Sequence, residues 1–281
     1  MDPYHDKPNR GWNEPKGWAK KHSLADQMLL VLLDEMNLAR IEYYFSEFLS
    51  RLETRRGINL DKAEDRRKAE IGLDIGSSSD GNSIMQLFVG TNVLFVGTMN
   101  EDETTQALSD KVVDRANVLR FGRPRNLRRE GGSNGQPLAI SDDRLSHKTW
   151  IDWCNHELSS DASQTVDDWI ARLNEAMTTI RRPFAHRTSQ AIRNYVANYP
   201  GLGEDDTALR HAMSDQLEQK IFPKFRGLDP SEPNVQRALD TLRNILSDLQ
   251  DEQLIEAINE SRREHQFVWM GVDRFKDEVE A

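Results

Sequence analysis

Cysteine is almost absent from this chain, and so are long hydrophobic runs. Cys154 is the one cysteine among 281 residues, which excludes an internal disulfide and a cysteine-based metal cluster. No apolar run approaches the roughly 20 residues that a membrane-spanning helix requires. The first residues, including Asp2, His5 and Lys7, lack the apolar segment of a secretory signal. These absences predict a cytoplasmic protein with no membrane partner.

The composition is that of an ordinary globular protein. Hydrophobic residues make up 37% and charged residues 30% of the chain, and the length suffices for two packed units. The formal net charge of −10 argues against a surface that binds nucleic acid over its whole extent. A local nucleic-acid-binding patch remains an alternative, because Arg123, Arg125, Arg128 and Arg129 lie close together in the sequence. These arginines fit contacts to a phosphate backbone or a solvated hinge, and the glycines at 131, 132 and 135 favour the hinge.

The first half of the chain has the pattern of an α/β sheet. Residues 1–22 are polar, without periodicity, and predict an irregular lead-in. Residues 28–33 form an unbroken apolar run, which is typical of a parallel strand covered by helices on both faces. Asn37 is expected to cap a helix that follows it, and the charged and glycine-rich residues 54–83 suggest an excursion with a hairpin. A second apolar run at 93–96 completes the alternation of strands and helices.

The second half of the chain has a helical pattern. Residues 122–137 are rich in glycine, proline and arginine and predict a linker between an α/β core at 23–121 and a helical unit at 138–281. Apolar residues at helical spacing mark three helices in the second unit. These residues are Val166, Ile170, Leu173, Met177 and Ile180; Leu209, Met213, Leu217 and Ile221; and Val235, Leu239, Leu242, Leu246 and Leu249.

Two adjacent carboxylates, Asp34 and Glu35, end the first apolar run. Open α/β sheets bind their ligands at the carboxyl ends of their strands. One carboxylate there can hold Mg²⁺, while its neighbour polarises a water that attacks a phosphate. The alternative is a strand that ends in an acidic turn or a helix cap.

Asn100 follows the second apolar run, so parallel pairing of the two runs would bring its amide beside Glu35. An amide both donates and accepts hydrogen bonds and can therefore orient the attacking water. The alternative is an asparagine that forms a turn. The two strand ends together form a more specific pattern than either one alone.

These motifs resemble a known family of nucleotide hydrolases. The stretch Val-Leu-Leu-Asp-Glu-Met-Asn-Leu-Ala-Arg (31–40), followed by Tyr-Phe-Ser-Glu-Phe-Leu-Ser (44–50), resembles the Walker B region of AAA+ proteins of the McrB-like, modification-dependent restriction family. Gly-Thr-Met-Asn-Glu-Asp-Glu-Thr-Thr (97–105) and Leu-Ser-Asp-Lys-Val-Val-Asp-Arg-Ala-Asn (108–117) are similar to its sensor 1 strand and arginine-finger helix. Looser similarity covers Phe-Ala-His-Arg-Thr (184–188), as the start of a sensor 2 helix, and residues 219–227, as the end of a family helix.

The resemblance implies a partial AAA+ parallel-sheet core, followed by an all-helical lid, that uses Mg²⁺ with ATP or GTP. It implies Asp34 as the Mg²⁺ ligand, Glu35 as the catalytic carboxylate and Asn100 as sensor 1, with Asp102 in the same motif. Two arginines complete the implied site, Arg115 as the finger and Arg187 as sensor 2. A guanidinium suits the finger role because it stays charged and forks onto phosphate oxygens. The alternatives are a surface pair of Asp114 with Arg115 and a solvated Arg187.

The phosphate-binding loop Gly-x-x-x-x-Gly-Lys-Ser/Thr is missing, and no Gly-Lys pair occurs in the chain. That loop supplies the backbone N–H groups and the lysine that hold the phosphates. We therefore expect a C-terminal part of a longer protein, a split gene or a degenerate copy.

Two functions follow from the resemblance. The first is an incomplete McrB-like ATPase or GTPase that works in a homo-oligomeric ring with a separate nuclease subunit, acts on DNA indirectly and serves restriction or phage defence. The second is a non-catalytic assembly subunit that lends Arg115 to a complete neighbour. The intact set of Asp34, Glu35 and Asn100 favours the first.

Overall fold

A computed structural model of the chain describes most of its length. The described residues are 26–74, 76, 84–100, 109–120, 144–154, 156–203, 206–262, 265–269 and 271–272. They belong to two compact units, of which the first comprises Met1–Ser109 with Ala139–Trp153 and the second Asp110–Leu138 with Cys154–Ala281. The predicted lead-in at 1–22, the predicted linker at 122–137 and Asp102 lie outside the described residues.

The described residues of the first unit form four strands and several short helices. The strands are β1 (Leu29–Leu33), β2 (Glu70–Asp74), β3 (Ile84–Phe88) and β4 (Val93–Gly97). The helices are α1 (Ile41–Tyr44), α2 (Ser46–Thr54), α3 (Ala63–Arg67) and α5 (His147–Trp153), and a 3₁₀ turn covers Arg55–Gly57.

The two apolar runs pair as parallel strands, as the sequence predicts. β1 and β4 are in register from the pair Leu29 and Val93 to the pair Leu33 and Gly97. The predicted hairpin is also present, because β2 and β3 pair antiparallel, although β3 lies beyond the predicted range of 54–83. Asn37 does not cap the following helix, which begins at Ile41 after Arg40.

Within the described residues, an aromatic contact covers one face of the β1/β4 pair, and the helices predicted on the second face are not found there. The ring of Phe48 in α2 packs edge-on against Phe95 in β4, with 4.7 Å between ring centroids. Side chains on the opposite face alternate with Phe95 along the pleat. There Leu30, Leu32 and Val96 are 61%, 62% and 46% exposed.

The second unit is helical. Its helices are α4 (Asp110–Val113), α6 (Ser160–Thr179), α7 (His186–Ala197), α8 (Asp206–Gln216), α9 (Pro233–Leu249) and α10 (Glu252–Ser261). After α8 the chain continues as a π-helical turn at Leu217–Ile221 and a 3₁₀ turn at Phe222–Phe225.

The three predicted apolar stripes form the core of this unit. Every residue of the stripes on α6, α8 with its π-helical extension, and α9 is buried. Amphipathic helices are stabilised mainly by burying such a face, and Pro233 starts α9 at a first-turn position that tolerates proline. Among the described helices, none is long and apolar enough to cross a membrane.

Candidate functional site

The carboxyl ends of β1 and β4 lie side by side and carry the predicted acidic residues. The register that pairs Leu33 with Gly97 brings the next residues, Asp34 and Thr98, to the same level. The ladder also continues past both strands. Thr98 N–H donates to Leu33 O at 2.9 Å, and Met36 N–H donates to Thr98 O at 3.0 Å. The backbone therefore fixes Asp34 and Glu35 against the segment that follows β4.

The hydroxyl of Thr98 connects the two acidic residues. It donates to Asp34 Oδ1, and it accepts the backbone N–H of Glu35 at 2.9 Å. Sequence reasoning missed Thr98, because its part depends on the register between strands 63 or 64 residues apart. The available signal was a short hydroxyl side chain two residues after the second apolar run.

The turn after β1 is sterically tight. Glu35 has a φ of 48°, in the left-handed region that L-residues rarely adopt. At the facing position, a Cβ on Gly97 would lie 1.8 Å from Met36 Sδ, so any other residue there would displace the Met36 side chain. A strained residue in such a turn is a feature that functional sites share.

A second asparagine, Asn37, contacts the backbone at Asn100. Asn37 is buried, and its Nδ2 donates to the backbone carbonyl of Asn100 at 2.8 Å. This bond holds the chain after β4 close to the turn that contains Glu35. Asn100 itself is exposed, and a contact between its amide and a water near Glu35 stays a prediction.

Arg55 fixes the other end of β4. Its Nη1 donates to the carbonyls of Val89 and Gly90 at 3.1 and 2.5 Å, and its Nη2 donates to that of Val93 at 3.2 Å. Burial, with a smaller repulsion from Arg56, lowers the pKa of the Arg55 guanidinium to about 10. The group stays charged at neutral pH, so it ties the start of β4 to the helical segment after β1.

The resemblance implies Mg²⁺ at this edge, and the carboxylates there are the donors to compare with it. No group of three or more His, Cys, Asp or Glu side chains with metal-binding geometry occurs in the described part of the chain. Mg²⁺ in nucleotide sites takes one or two carboxylates together with waters and substrate phosphates. The Asp34 carboxylate, held by Thr98 and exposed to solvent, meets that requirement.

The two predicted arginines belong to the second unit. The residues next to them in the sequence form a hydrogen bond with each other. Arg115 lies in a turn just after α4, and Arg187 is the second residue of α7. Thr188 Oγ1 donates to Asp114 Oδ1 at 3.3 Å. Each arginine therefore stands next to one partner of this bond, which brings the two predicted residues to one region of the helical unit.

Two buried lysines also reach the segment around Arg115. Lys224 Nζ lies 2.5 Å from Asp114 Oδ1, and Lys220 Nζ donates to the carbonyl of Ala116 at 2.8 Å. Their side chains come from the π-helical and 3₁₀ turns after α8. Sequence reasoning identified residues 219–227 only by resemblance, and it assigned no function to either lysine.

Comparison with known proteins bears on the helical part of the chain. Residues 139–267 match a family described as a domain of unknown function, DUF8727. The match includes Arg187, Lys220 and Lys224, and it excludes Asp34, Glu35, Asn100 and Arg115. No curated protein and no solved structure matches the chain.

Proposed function

We propose that the chain is an incomplete AAA+ nucleoside triphosphatase module of the McrB-like kind, which hydrolyses ATP or GTP in an assembly that supplies the phosphate-binding loop. The observation that carries this proposal is the cluster of Asp34, Glu35 and Thr98 at the carboxyl ends of two paired parallel strands. Ligand crevices of open α/β sheets form at this edge.

Within the cluster, the two carboxylates have different surroundings and therefore different roles. Asp34 is oriented by the Thr98 hydroxyl, which suits a fixed ligand of Mg²⁺. Glu35 lies in the turn one residue beyond and is exposed, so its carboxylate is available to a water molecule. Bound Mg²⁺ would neutralise charge on the phosphates, and Glu35 would accept a proton from the attacking water.

The two arginines supply the positive charge that phosphoryl transfer requires. Charge develops on the phosphoryl oxygens in the transition state, and a guanidinium can neutralise it without deprotonating. In the proposed ring, Arg115 reaches the site of a neighbouring subunit and Arg187 senses the nucleotide from the lid. Such a ring would drive a nuclease partner that acts on DNA, in restriction or phage defence.

One face of the β1/β4 sheet is exposed in the described part of the chain, and this supports an incomplete module. Parallel sheets are almost always buried on both faces, yet Leu30, Leu32 and Val96 are exposed here. A segment that carries the phosphate-binding loop would bring further apolar surface to this sheet. The lack of a phosphate-binding loop and the exposed sheet face then have one cause, which is the absence of that segment.

The second candidate is a non-catalytic subunit that lends Arg115 to a complete neighbour. The observation in its favour is that the segment around Arg115 is anchored within the helical unit, through Asp114 and Ala116. That anchoring does not involve the acidic cluster. A subunit of this kind has no use for Glu35, so a single substitution separates the two candidates.

The test is Glu35→Gln in the native assembly, meaning the complex purified through a tag on this chain from its own cells. We expect nucleotide binding to persist while turnover falls on the order of 10²-fold or more, because the water loses its base. Asp34→Ala should instead weaken Mg²⁺-dependent binding. Turnover is followed by phosphate release and binding by calorimetry.

Asp248→Asn is the control, since that carboxylate pairs with Arg172 on the surface of the helical unit, and it should leave both readouts unchanged. Turnover near wild type in Glu35→Gln would reject the catalytic assignment and favour the lending subunit.

A further inference from the structure

We infer that Lys220 and Lys224 are positioning residues for Arg115, so that the turns after α8 set the place of the proposed arginine finger. The inference rests on the proposed function, because it assigns to these lysines the placement of a group that acts on the nucleotide. It also names a connection between the helical lid and the finger that the sequence motifs do not contain.

The contacts fall on the two residues that flank Arg115. Lys224 Nζ pairs with the Asp114 carboxylate at 2.5 Å, and Lys220 Nζ donates to the Ala116 carbonyl at 2.8 Å. The backbone of Arg115 is thereby fixed on both sides. Because a side chain moves with its backbone, the two anchors restrict the directions that the guanidinium can take.

Both lysines are held in unusual surroundings. Lys220 and Lys224 are 3% and 4% exposed, whereas lysine is almost never fully buried unless its charge is paired. Removing an ammonium group from water is costly, and a methionine would fill similar space without that cost. The placement therefore indicates a demand for directed, charged contacts rather than for packing alone.

The backbone around the lysines is itself fixed. The π-helical turn at Leu217–Ile221 and the 3₁₀ turn at Phe222–Phe225 interrupt the regular helix, and π-helical turns frequently mark functional sites. Arg182 Nη1 donates to the carbonyl of Lys224 and, at 3.2 Å, to that of Arg226. The anchors are thus attached to a rigid support, as accurate positioning requires.

The opposite side of the segment is anchored to the lid helix that carries Arg187. Thr188 Oγ1 reaches the same Asp114 oxygen that Lys224 contacts, and Val112 and Val113 are buried. A shift of α7 or of the turns after α8 would therefore be transmitted to Asp114. Nucleotide sensed by the lid would in this way change the place of the finger.

The first arm of the test measures backbone protection in this chain without any nucleotide. The N–H groups of Arg115 and Ala116 both donate to Val112 O at 3.0 Å, so their hydrogen exchange reports on the segment. Lys224→Met and Lys220→Met should each speed exchange at 110–117 by about tenfold or more, since a hydrogen bond to a charged group is lost. Arg172→Met, which removes the surface pair with Asp248, is the matched control and should leave this segment unchanged.

The second arm measures turnover in the native assembly. A misplacement of about 1 Å can cost on the order of 10²-fold in rate, so Lys224→Met should lower kcat at least about tenfold while KM stays within about twofold. Lys224→Arg, which retains a cation, should recover part of the lost kcat. A merely structural lysine would not produce this division between kcat and KM.

The outcomes separate the inference from the proposed function. Unchanged exchange at 110–117 overturns the inference, and so does an unchanged kcat in Lys224→Met when Arg115→Ala abolishes turnover. Turnover retained in Arg115→Ala overturns the finger itself, and the inference with it. If Lys224→Met unfolds the helical unit, Lys220→Met decides by the same two readouts, because it removes the contact with the Ala116 carbonyl alone.

Discussion

At the scale of single residues, the acidic cluster shows which interactions a sequence reveals. Asp34 and Glu35 stand out because they end an apolar run, and that signal is local. The contribution of Thr98 is not local, since its bonds to Asp34 and Glu35 exist only when β1 and β4 adopt their observed register. Lys220 and Lys224 were missed for the same reason. A buried lysine has the same local sequence as a solvated one, and its partners lie about a hundred residues away.

Strain at Glu35 gives a prediction for the isolated chain. A left-handed conformation costs an L-residue roughly 1–2 kcal/mol, and glycine avoids that cost while losing up to about 1 kcal/mol of chain entropy. Glu35→Gly should therefore be more stable than Glu35→Ala by about 0.5–1 kcal/mol, although both lack the carboxylate. Hydrogen exchange of the β1 and β4 amides measures the difference. Equal stability of the two variants would show that residue 35 is not strained.

At the scale of elements, periodicity predicted the helices of the second unit and their buried faces. Each stripe is a property of one helix, so neighbouring residues suffice to define it. The apolar run of β1 indicates that covering elements are needed and not where they come from, and the described residues supply them on one face. The helix after β1 begins three residues later than predicted, since Asn37 bonds to the carbonyl of Asn100 instead of capping, and the helix begins at Ile41.

The buried stripe of α9 gives the element-scale prediction. Leu242 is fully buried, so Leu242→Ala should reduce the free energy of unfolding by about 2–5 kcal/mol through lost burial and the remaining cavity. Asn244→Ala, two residues further on the exposed side of the same helix, should change it by less than about 0.5 kcal/mol. Urea titration followed by far-UV circular dichroism measures both. A cost below about 1 kcal/mol for Leu242→Ala would contradict its place in the core.

At the scale of the whole molecule, the predicted site residues belong to two different units. The acidic cluster belongs to the strand-containing unit, and both arginines belong to the helical unit. Residues from 139 to 267 match a domain of unknown function, so the helical part has relatives whose role its description does not give. The proposed ring connects these parts by placing the arginine of one subunit at the carboxylates of the next. In such a ring, hydrolysis would depend on assembly.

The ring predicts a rescue between two inactive variants. Arg115→Ala should abolish turnover, because an arginine finger can contribute roughly 10³-fold or more to phosphoryl transfer. Glu35→Gln should also abolish turnover, because the attacking water loses its base. When the two variant assemblies are mixed and allowed to exchange subunits, one kind of interface pairs an intact Glu35 with an intact Arg115. Some phosphate release should therefore return if Arg115 acts on a neighbouring subunit. If it acts within its own subunit, every site retains one lesion and the mixture stays inactive. Light scattering verifies that the mixed subunits assemble, and a mixture that assembles without turnover would remove Arg115 from the interface and reject the ring.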